Sequence, residues 1–174
     1  MLTLTRQAAK LSNWNPKPEL HGADPQPAGD VTFEFNADSA AVLPMLHPQL
    51  RGLLFHKDGA VQHDLADAAA HAPDLRFPAM PGPFAWTLPY TSGTLTIHIG
   101  DLGDTDIVLP ANFRKPLTFA PMQGGTVVVT VQSRCHPDKE QAGAIYCLMG
   151  KELQISLTPT AEADDDAPAQ GDLA

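Results

Sequence analysis

The chain has 174 residues, of which 11 are basic and 20 acidic, and its formal net charge at pH 7 is −9. No run approaches the roughly 20 apolar residues that cross a bilayer, and no basic excess marks a duplex-DNA-binding surface. Seventeen prolines and 13 glycines indicate many turns and few long helices. The first residues lack the charged-then-apolar layout of a signal peptide, so we expect a cytoplasmic protein with no membrane partner.

Both ends of the chain are polar. Residues 1–30 are rich in proline, which favours extended backbone, and we predict an extended N-terminal arm that Trp14 anchors to the body. Residues 161–174 hold no basic residue and too few apolar groups to fold, so we predict a disordered acidic tail. Five carboxylates give this tail −5 of the net charge and make it a candidate partner-binding segment: Glu162, Asp164, Asp165, Asp166 and Asp172.

Residues 31–160 are predicted to form one β-rich domain. Residues 31–35 alternate apolar and polar side chains, as a half-buried strand does. Asp38 can cap a short helix over 39–45, and a second short helix follows it. Residues 57–74 lack a strong apolar face, and we interpret them as a poorly packed helix or a long loop.

Strands dominate the second half of the domain. Residues 94–99 and 107–109 have the pattern of a hairpin, and the most β-branched run, 126–131, predicts the central strand. A helix is predicted over 136–150, and a final strand over 153–157. The predicted fold class is therefore α+β: a mostly antiparallel β-sheet, in a sandwich or a partly closed barrel, with two or three short helices.

Two sets of residues have side chains that can bind a metal ion. His63, Asp67 and His71 are spaced i, i+4, i+8, which on a helix would place groups suited to zinc on one face. Three ligands without a second cluster do not define a site, so we predict no metal and no cofactor. Cys135 and Cys147 match no zinc pattern and are predicted to be reduced structural thiols, with Cys147 on the core face of the last helix.

The sequence carries no motif of a known catalytic class. It lacks the nucleophile elbow GxSxG, the zinc motif HExxH and a Walker-type phosphate loop. Asp101, Asp104 and Asp106 are interpreted as turn residues, and the pair at 124–125 as a tight glycine turn. We therefore predict that the protein is not an enzyme.

Aromatic and basic residues adjoin one another in the second half of the chain. This pairing is typical of single-strand binders, because rings stack on bases while cations contact phosphates. The alternative is that the phenylalanines belong to the core and the cations to ordinary surface. The predicted nucleic-acid-binding residues are Phe113, Arg114, Lys115, Phe119, Arg134 and Lys139.

Several segments resemble a family of small tailed-phage and prophage proteins. They are 13–22 (NWNPKPELHG), 31–35 (VTFEF), 50–55 (LRGLLF), 119–129 (FAPMQGGTVVV), 136–138 (HPD) and 153–157 (LQISL). The resemblance implies a phage origin, and hence the host cell cytosol, but it transfers no catalytic residue. It favours a DNA-processing or host-directed accessory protein.

Three functions are compatible with these features of the sequence. The leading hypothesis is a non-enzymatic accessory protein of phage DNA replication or recombination that binds single-stranded DNA. The alternative is a protein-binding inhibitor of a host defence or nuclease system, in the manner of an anti-CRISPR protein, which meets a basic partner through acidic surface. A third reading is a virion component. A homo-oligomer is compatible with each of them.

Overall fold

The structure is a computed structural model that describes residues 2–21, 24–56, 74–79, 82–100, 105–113 and 115–160. Within these residues the chain forms ten strands and three helices. They are β1 (Leu4–Pro16), β2 (Glu19–His21), β3 (Asp24–Gln26), β4 (Gly29–Asp38), α1 (Ser39–Leu46), α2 (Leu50–Leu54), β5 (Phe84–Trp86), β6 (Ser92–His98), β7 (Ile107–Asn112), β8 (Leu117–Pro121), β9 (Thr126–Cys135), α3 (Lys139–Leu148) and β10 (Glu152–Pro159).

Eight of the strands form one antiparallel sheet in the order β4-β1-β10-β6-β7-β9-β8-β5. β4 also pairs with β9 along its whole length, from Gly29 opposite Cys135 to Asp38 opposite Thr126. The pairings therefore run in a ring through β4, β1, β10, β6, β7 and β9 and back to β4. The predicted α+β class, mostly antiparallel with short helices, is confirmed, and the predicted central run lies in β9, which contacts three strands.

The N-terminal segment is part of this sheet, which corrects the expectation of an arm lying on the body. β1 is extended, as the prolines predicted, but it pairs with β10 on one side and with β4 on the other. Trp14 is 7 % exposed and packs in the core, so its predicted anchoring role holds within a strand. Residues 4–16 therefore belong to the same sheet as the strands of the predicted domain.

The core lies inside the ring of strands, and alternation along each strand fills it. In β9, Val127, Val129 and Val131 are buried while the residues between them are half-exposed. β4 contributes Phe33 and Phe35 in the same manner. Burial of each such side chain stabilises the folded state by roughly 1.5–3 kcal/mol. Because the apolar face of each strand is buried, only the opposite face is available for binding.

Side chains cap two of the helices: α1 begins as the sequence predicts, and α3 begins at Lys139, three residues after the predicted start. The Asp38 side chain caps α1 by accepting a hydrogen bond from the Ala40 backbone N–H at 2.8 Å. Asp138 and Gln141 form a capping box at the start of α3, in which each side chain bonds the other residue's backbone N–H. α3 packs on the sheet mainly through Ile145, which is fully buried.

One of the two cysteines differs from its predicted position. Cys147 is exposed on α3, so its assignment to the core face was wrong; the buried side of the helix is set by Ile145. Cys135 is fully buried at the end of β9. Burial, with a smaller contribution from the nearby Asp30 charge, raises the pKa of the Cys135 thiol to about 12. Both thiols are free, and Cys135 is inert at neutral pH.

Some predictions fall on residues outside those described. They are the helix or loop over 57–73, the acidic tail over 161–174, and the candidate metal set His63, Asp67 and His71. Within the described ranges, no helix has both the length and the apolar character needed to traverse a bilayer.

Candidate nucleic-acid interface

A polar cleft lies where the ends of β4, β7 and β9 meet the segment that follows β1. Its volume is about 350 Å³. Register places Arg134 of β9 opposite both Asp30 of β4 and Asn112 of β7, so three polar side chains converge there. The cleft is lined by Lys17, Glu19, Asp30, Asn112, Lys115, Gln132 and Arg134.

Ion pairs organise the inner part of the cleft around Arg134. Its guanidinium lies 3.3 Å from Asp30 Oδ1 and 2.6 Å from Glu19 Oε1. Lys17 Nζ lies 3.2 Å from the other Asp30 oxygen, and His136 Nε2 lies 3.0 Å from Glu19 Oε2. The hydrogen bond from His136, with the Arg134 charge, holds the pKa of Glu19 below its usual value. Glu19 is therefore an anion that fixes the guanidinium in place.

The balance of charge in the cleft is opposite to that of the chain. Three cations and two carboxylates line it, which leaves one positive charge in a protein of net charge −9. Lys115 is exposed and forms no ion pair with any described residue. The Lys17 side chain is half-exposed, and its ammonium is paired with Asp30. An anion is the ligand that this arrangement attracts.

Two buried polar atoms of the cleft have no hydrogen-bond partner among the described residues. They are Arg134 Nε, a donor, and Asn112 Oδ1, an acceptor, on facing strands. A buried group left unpaired costs about 1–3 kcal/mol, so each atom gains from a water or a polar ligand group that reaches it.

Two of the sequence-predicted interface residues have another role. Phe113 is 4 % exposed and packs edge-to-face on Tyr90, with ring centroids 5.9 Å apart. Phe119 is 2 % exposed and packs on Phe84 at 5.6 Å. Their expected stacking on bases is thus corrected: both rings belong to the core. The alternation signalled this, because Phe113 continues the buried side of β7 that includes Ala111.

The predicted cations are only partly brought together. Lys115 and Arg134 line the same cleft, whereas Lys139 lies at the start of α3 and is not among the lining residues. Arg114 lies outside the described residues. Sequence reasoning missed Lys17 and Asp30, which stand in the segment predicted as an arm. Strand register brings these residues to the cleft, and register cannot be read from a local sequence pattern.

Comparison of the chain with protein-family models, with curated proteins and with solved structures found no match. Across the part of the chain that the structure describes, no three or more His, Cys, Asp or Glu side chains are grouped so that they could hold a metal ion. The function must therefore be argued from the geometry of this chain alone.

Proposed function

We propose that this protein is an accessory protein of phage-type DNA replication or recombination that binds single-stranded DNA in the cleft at Lys17, Lys115 and Arg134. One observation carries the proposal: two of the cations predicted for this role line one cleft, together with a third, and leave it net positive in an acidic protein. At this cleft the protein acts by binding and not by chemistry.

The cleft contacts DNA mainly through phosphates. Lys115 is exposed and Lys17 is half-exposed, so their side chains can each approach a phosphate, whereas Arg134 is held by two carboxylates. Since Phe113 and Phe119 are buried, stacking contributes little and affinity depends on salt. The ring of strand pairings also supports the finer proposal that the sheet is a partly closed barrel, whose outer face carries this cleft.

Fluorescence anisotropy with a labelled single-stranded oligonucleotide tests the binding. The logarithm of the association constant should fall linearly with the logarithm of salt concentration, with a slope of about −0.7 per phosphate neutralised. Lys17→Gln and Lys115→Gln together should make this slope shallower by about 1.4.

The matched control is Lys151→Gln, which removes an exposed lysine outside the cleft and should leave the slope unchanged. Lys139→Gln should behave like the control, because Lys139 does not line the cleft. Absence of binding at low salt would exclude the proposal. Equal losses from the cleft and control variants would show that only diffuse charge is involved.

A second candidate, a protein-binding inhibitor of a host defence or nuclease system, is favoured by a separate apolar groove. The groove has a volume of about 230 Å³, and two of its lining side chains, Phe77 and Met122, are 55 % and 49 % exposed. Exposed apolar side chains that adjoin one another in a groove, unlike isolated ones, can form a protein contact. Retention of a host nuclease by the wild-type chain but not by Phe77→Glu, with no oligonucleotide binding, would favour this candidate.

A further inference from the structure

Three polar side chains on the outer face of the sheet form a continuous hydrogen-bonded series. His98 of β6 lies with Nδ1 2.6 Å from Asp106 Oδ2 and with Nε2 2.7 Å from the Oγ of Ser156 in β10. The other Asp106 oxygen accepts a hydrogen bond from the Ile99 backbone N–H at 2.9 Å. Carboxylate, imidazole and hydroxyl therefore follow one another as in the serine hydrolases, where this geometry recurs on unrelated folds.

Strand register explains why residues so distant in sequence meet. β10 pairs with β6 so that Ser156 lies opposite Thr96, which makes His98 its diagonal neighbour on the same face. β7 begins at the residue after Asp106 and pairs with β6, so the continuing register sets Asp106 opposite His98. The outward positions of three strands thus assemble the series.

The carboxylate beside Nδ1 favours one arrangement of hydrogen bonds around His98. The backbone hydrogen bond from Ile99, with contributions from His98 and the Arg6 charge, lowers the pKa of Asp106 against the opposing effect of burial. The Asp106 carboxylate is therefore an anion that accepts Nδ1–H. In the tautomer whose Nδ1–H donates to Asp106, Nε2 has a lone pair facing the Ser156 hydroxyl and can accept the serine proton.

A strained residue holds Ser156 from the other side. Arg6 has a φ of +45°, in the left-handed region that non-glycine residues seldom adopt, at a register shift in β1. Its backbone N–H donates to Ser156 Oγ at 3.0 Å, and its Nη1 donates to Gln154 Oε1 at 3.1 Å. Such backbone outliers cost about 1–3 kcal/mol and cluster at functional sites. Here the strained backbone directs its N–H at the Ser156 hydroxyl, while the guanidinium binds Gln154.

The series borders an open depression. Its volume is about 360 Å³, and of the three residues in the series only His98 lines it, together with the apolar Ala8, Ile99 and Leu153 and the polar Glu152 and Gln154. The His98 and Asp106 side chains are 11 % and 13 % exposed, and Ser156 is half-buried. In full exposure, water would compete for the hydrogen bonds of the series, and full burial would exclude a substrate. The three side chains are partly buried, which avoids both. The shallow, partly apolar walls suit a small acyl group.

We infer that Ser156 and His98 are the nucleophile and general base of an acyl-ester hydrolase site, with Asp106 as the positioning residue. The site shares no residue with the DNA-binding cleft, and its activity is separate from binding. It also runs against the expectation from sequence motifs that the protein is not an enzyme. The substrate class is a small carboxylic ester with an apolar acyl chain.

The reaction balances without a cofactor. The Ser156 hydroxyl proton passes to His98 Nε2 while Oγ adds to the ester carbonyl carbon. The tetrahedral intermediate expels the alcohol oxygen, which takes the proton from Nε2, and acyl-Ser156 remains. Water then transfers a proton to Nε2 and adds to the acyl carbon, and Oγ leaves with that proton. The sum is ester plus water giving carboxylic acid plus alcohol.

The test uses the full chain and two probes. An alkyl fluorophosphonate should add once per chain, and peptide mass spectrometry should place the adduct on Ser156. With p-nitrophenyl acetate the wild type should release nitrophenol above the buffer rate, and His98→Gln should lower that rate by about 10²–10⁴-fold. Asp106→Asn should lower kcat with KM little changed, because Asp106 does not touch the substrate.

Ser12→Ala is the matched control, since Ser12 is an exposed strand serine whose hydroxyl donates to the Thr32 carbonyl oxygen. It should retain both labelling and turnover, whereas Ser156→Ala should lose both. An unlabelled wild-type chain overturns the inference even if the variants unfold, and so does an adduct that persists in Ser156→Ala. Variants that lose thermal stability, with no adduct or turnover in the wild type, would show that the series only joins strands.

Discussion

At the scale of single residues, burial decides the chemistry of the two cysteines. The Cys135 thiol lies inside the protein and donates a weak hydrogen bond to the Gly29 carbonyl oxygen, with sulfur and oxygen 3.7 Å apart. Transfer of a thiolate into this environment is unfavourable, which raises the pKa of Cys135 from 9.0 to about 12. Cys147, 12 residues further on, is exposed to solvent. Thiol chemistry at neutral pH is therefore confined to α3.

The raised pKa of Cys135 predicts a loss of stability in alkali. The folded state favours the protonated thiol, so this contribution is fully present below pH 9.0 and is lost as pH rises towards about 12. Between about pH 9 and about pH 12, the free energy of unfolding should fall more steeply for the wild type than for Cys135→Ala. Urea unfolding at several pH values measures this difference.

Cys147→Ser is the control for that experiment, because an exposed thiol should leave the slope unchanged. Burial also raises the pKa of Tyr90 to about 12, but Tyr90 is common to all the variants and cancels in the comparison. Parallel curves for wild type and Cys135→Ala would contradict the prediction.

At the scale of elements, the contact between β1 and β4 depends on the absence of one side chain. Gly29 begins β4, and a Cβ placed there would lie 2.3 Å from Cη2 of Trp14 in β1. Trp14 can therefore lie across the start of β4 only because that residue is glycine. The contact joins the first strand of the chain to the strand that borders the polar cleft.

Gly29→Ala should destabilise the protein by about 1–3 kcal/mol, since Trp14 must move out of a packed site. The matched control is Gly52→Ala in α2, where an added Cβ meets nothing within 4 Å. That helical substitution should change stability by less than about 1 kcal/mol, in the stabilising direction. The free energy of unfolding from urea titration measures both. Equal effects would show that Trp14 can move to accommodate the new side chain without a loss of stability.

The elements also show how far sequence reasoning reaches. Alternation predicted the strand at 31–35, and Asp38 predicted the start of α1, because both signals are local. The face that a side chain occupies relative to distant strands is not local. The meeting of Ser156 with His98 and the pairing of Asp30 with Arg134 depend on register between strands more than fifty residues apart. Neither the hydrogen-bonded series nor the inner cleft could be predicted.

At the scale of the whole molecule, charge is distributed unevenly. Residues 161–174 carry −5 of the net charge, and the polar cleft is positive by one. An acidic segment joined to the same chain competes with DNA for such a cleft at a high local concentration. We therefore predict that the acidic residues of the tail lower the affinity of the full chain for an oligonucleotide.

Deletion of residues 161–174 should tighten binding at low salt, and the gain should shrink at high salt, where charges are screened. Anisotropy titrations of the full and shortened chains measure this effect. A full-length variant with Glu162, Asp164, Asp165, Asp166 and Asp172 changed to amides controls for chain length and should match the deletion. Equal affinities for all three chains at low salt would show that the tail does not compete.

The place of β1 between β4 and β10 has a consequence during synthesis on the ribosome. β1 is made first and can pair with β4 early, but its other edge has no partner until β10, residues 152–159, has emerged. Until then the nascent chain presents a long unpaired strand edge, the feature by which other chains are recruited into aggregates. β1 carries polar side chains, Arg6 and Lys10 among them, and charged side chains on an unpaired edge oppose pairing with another chain.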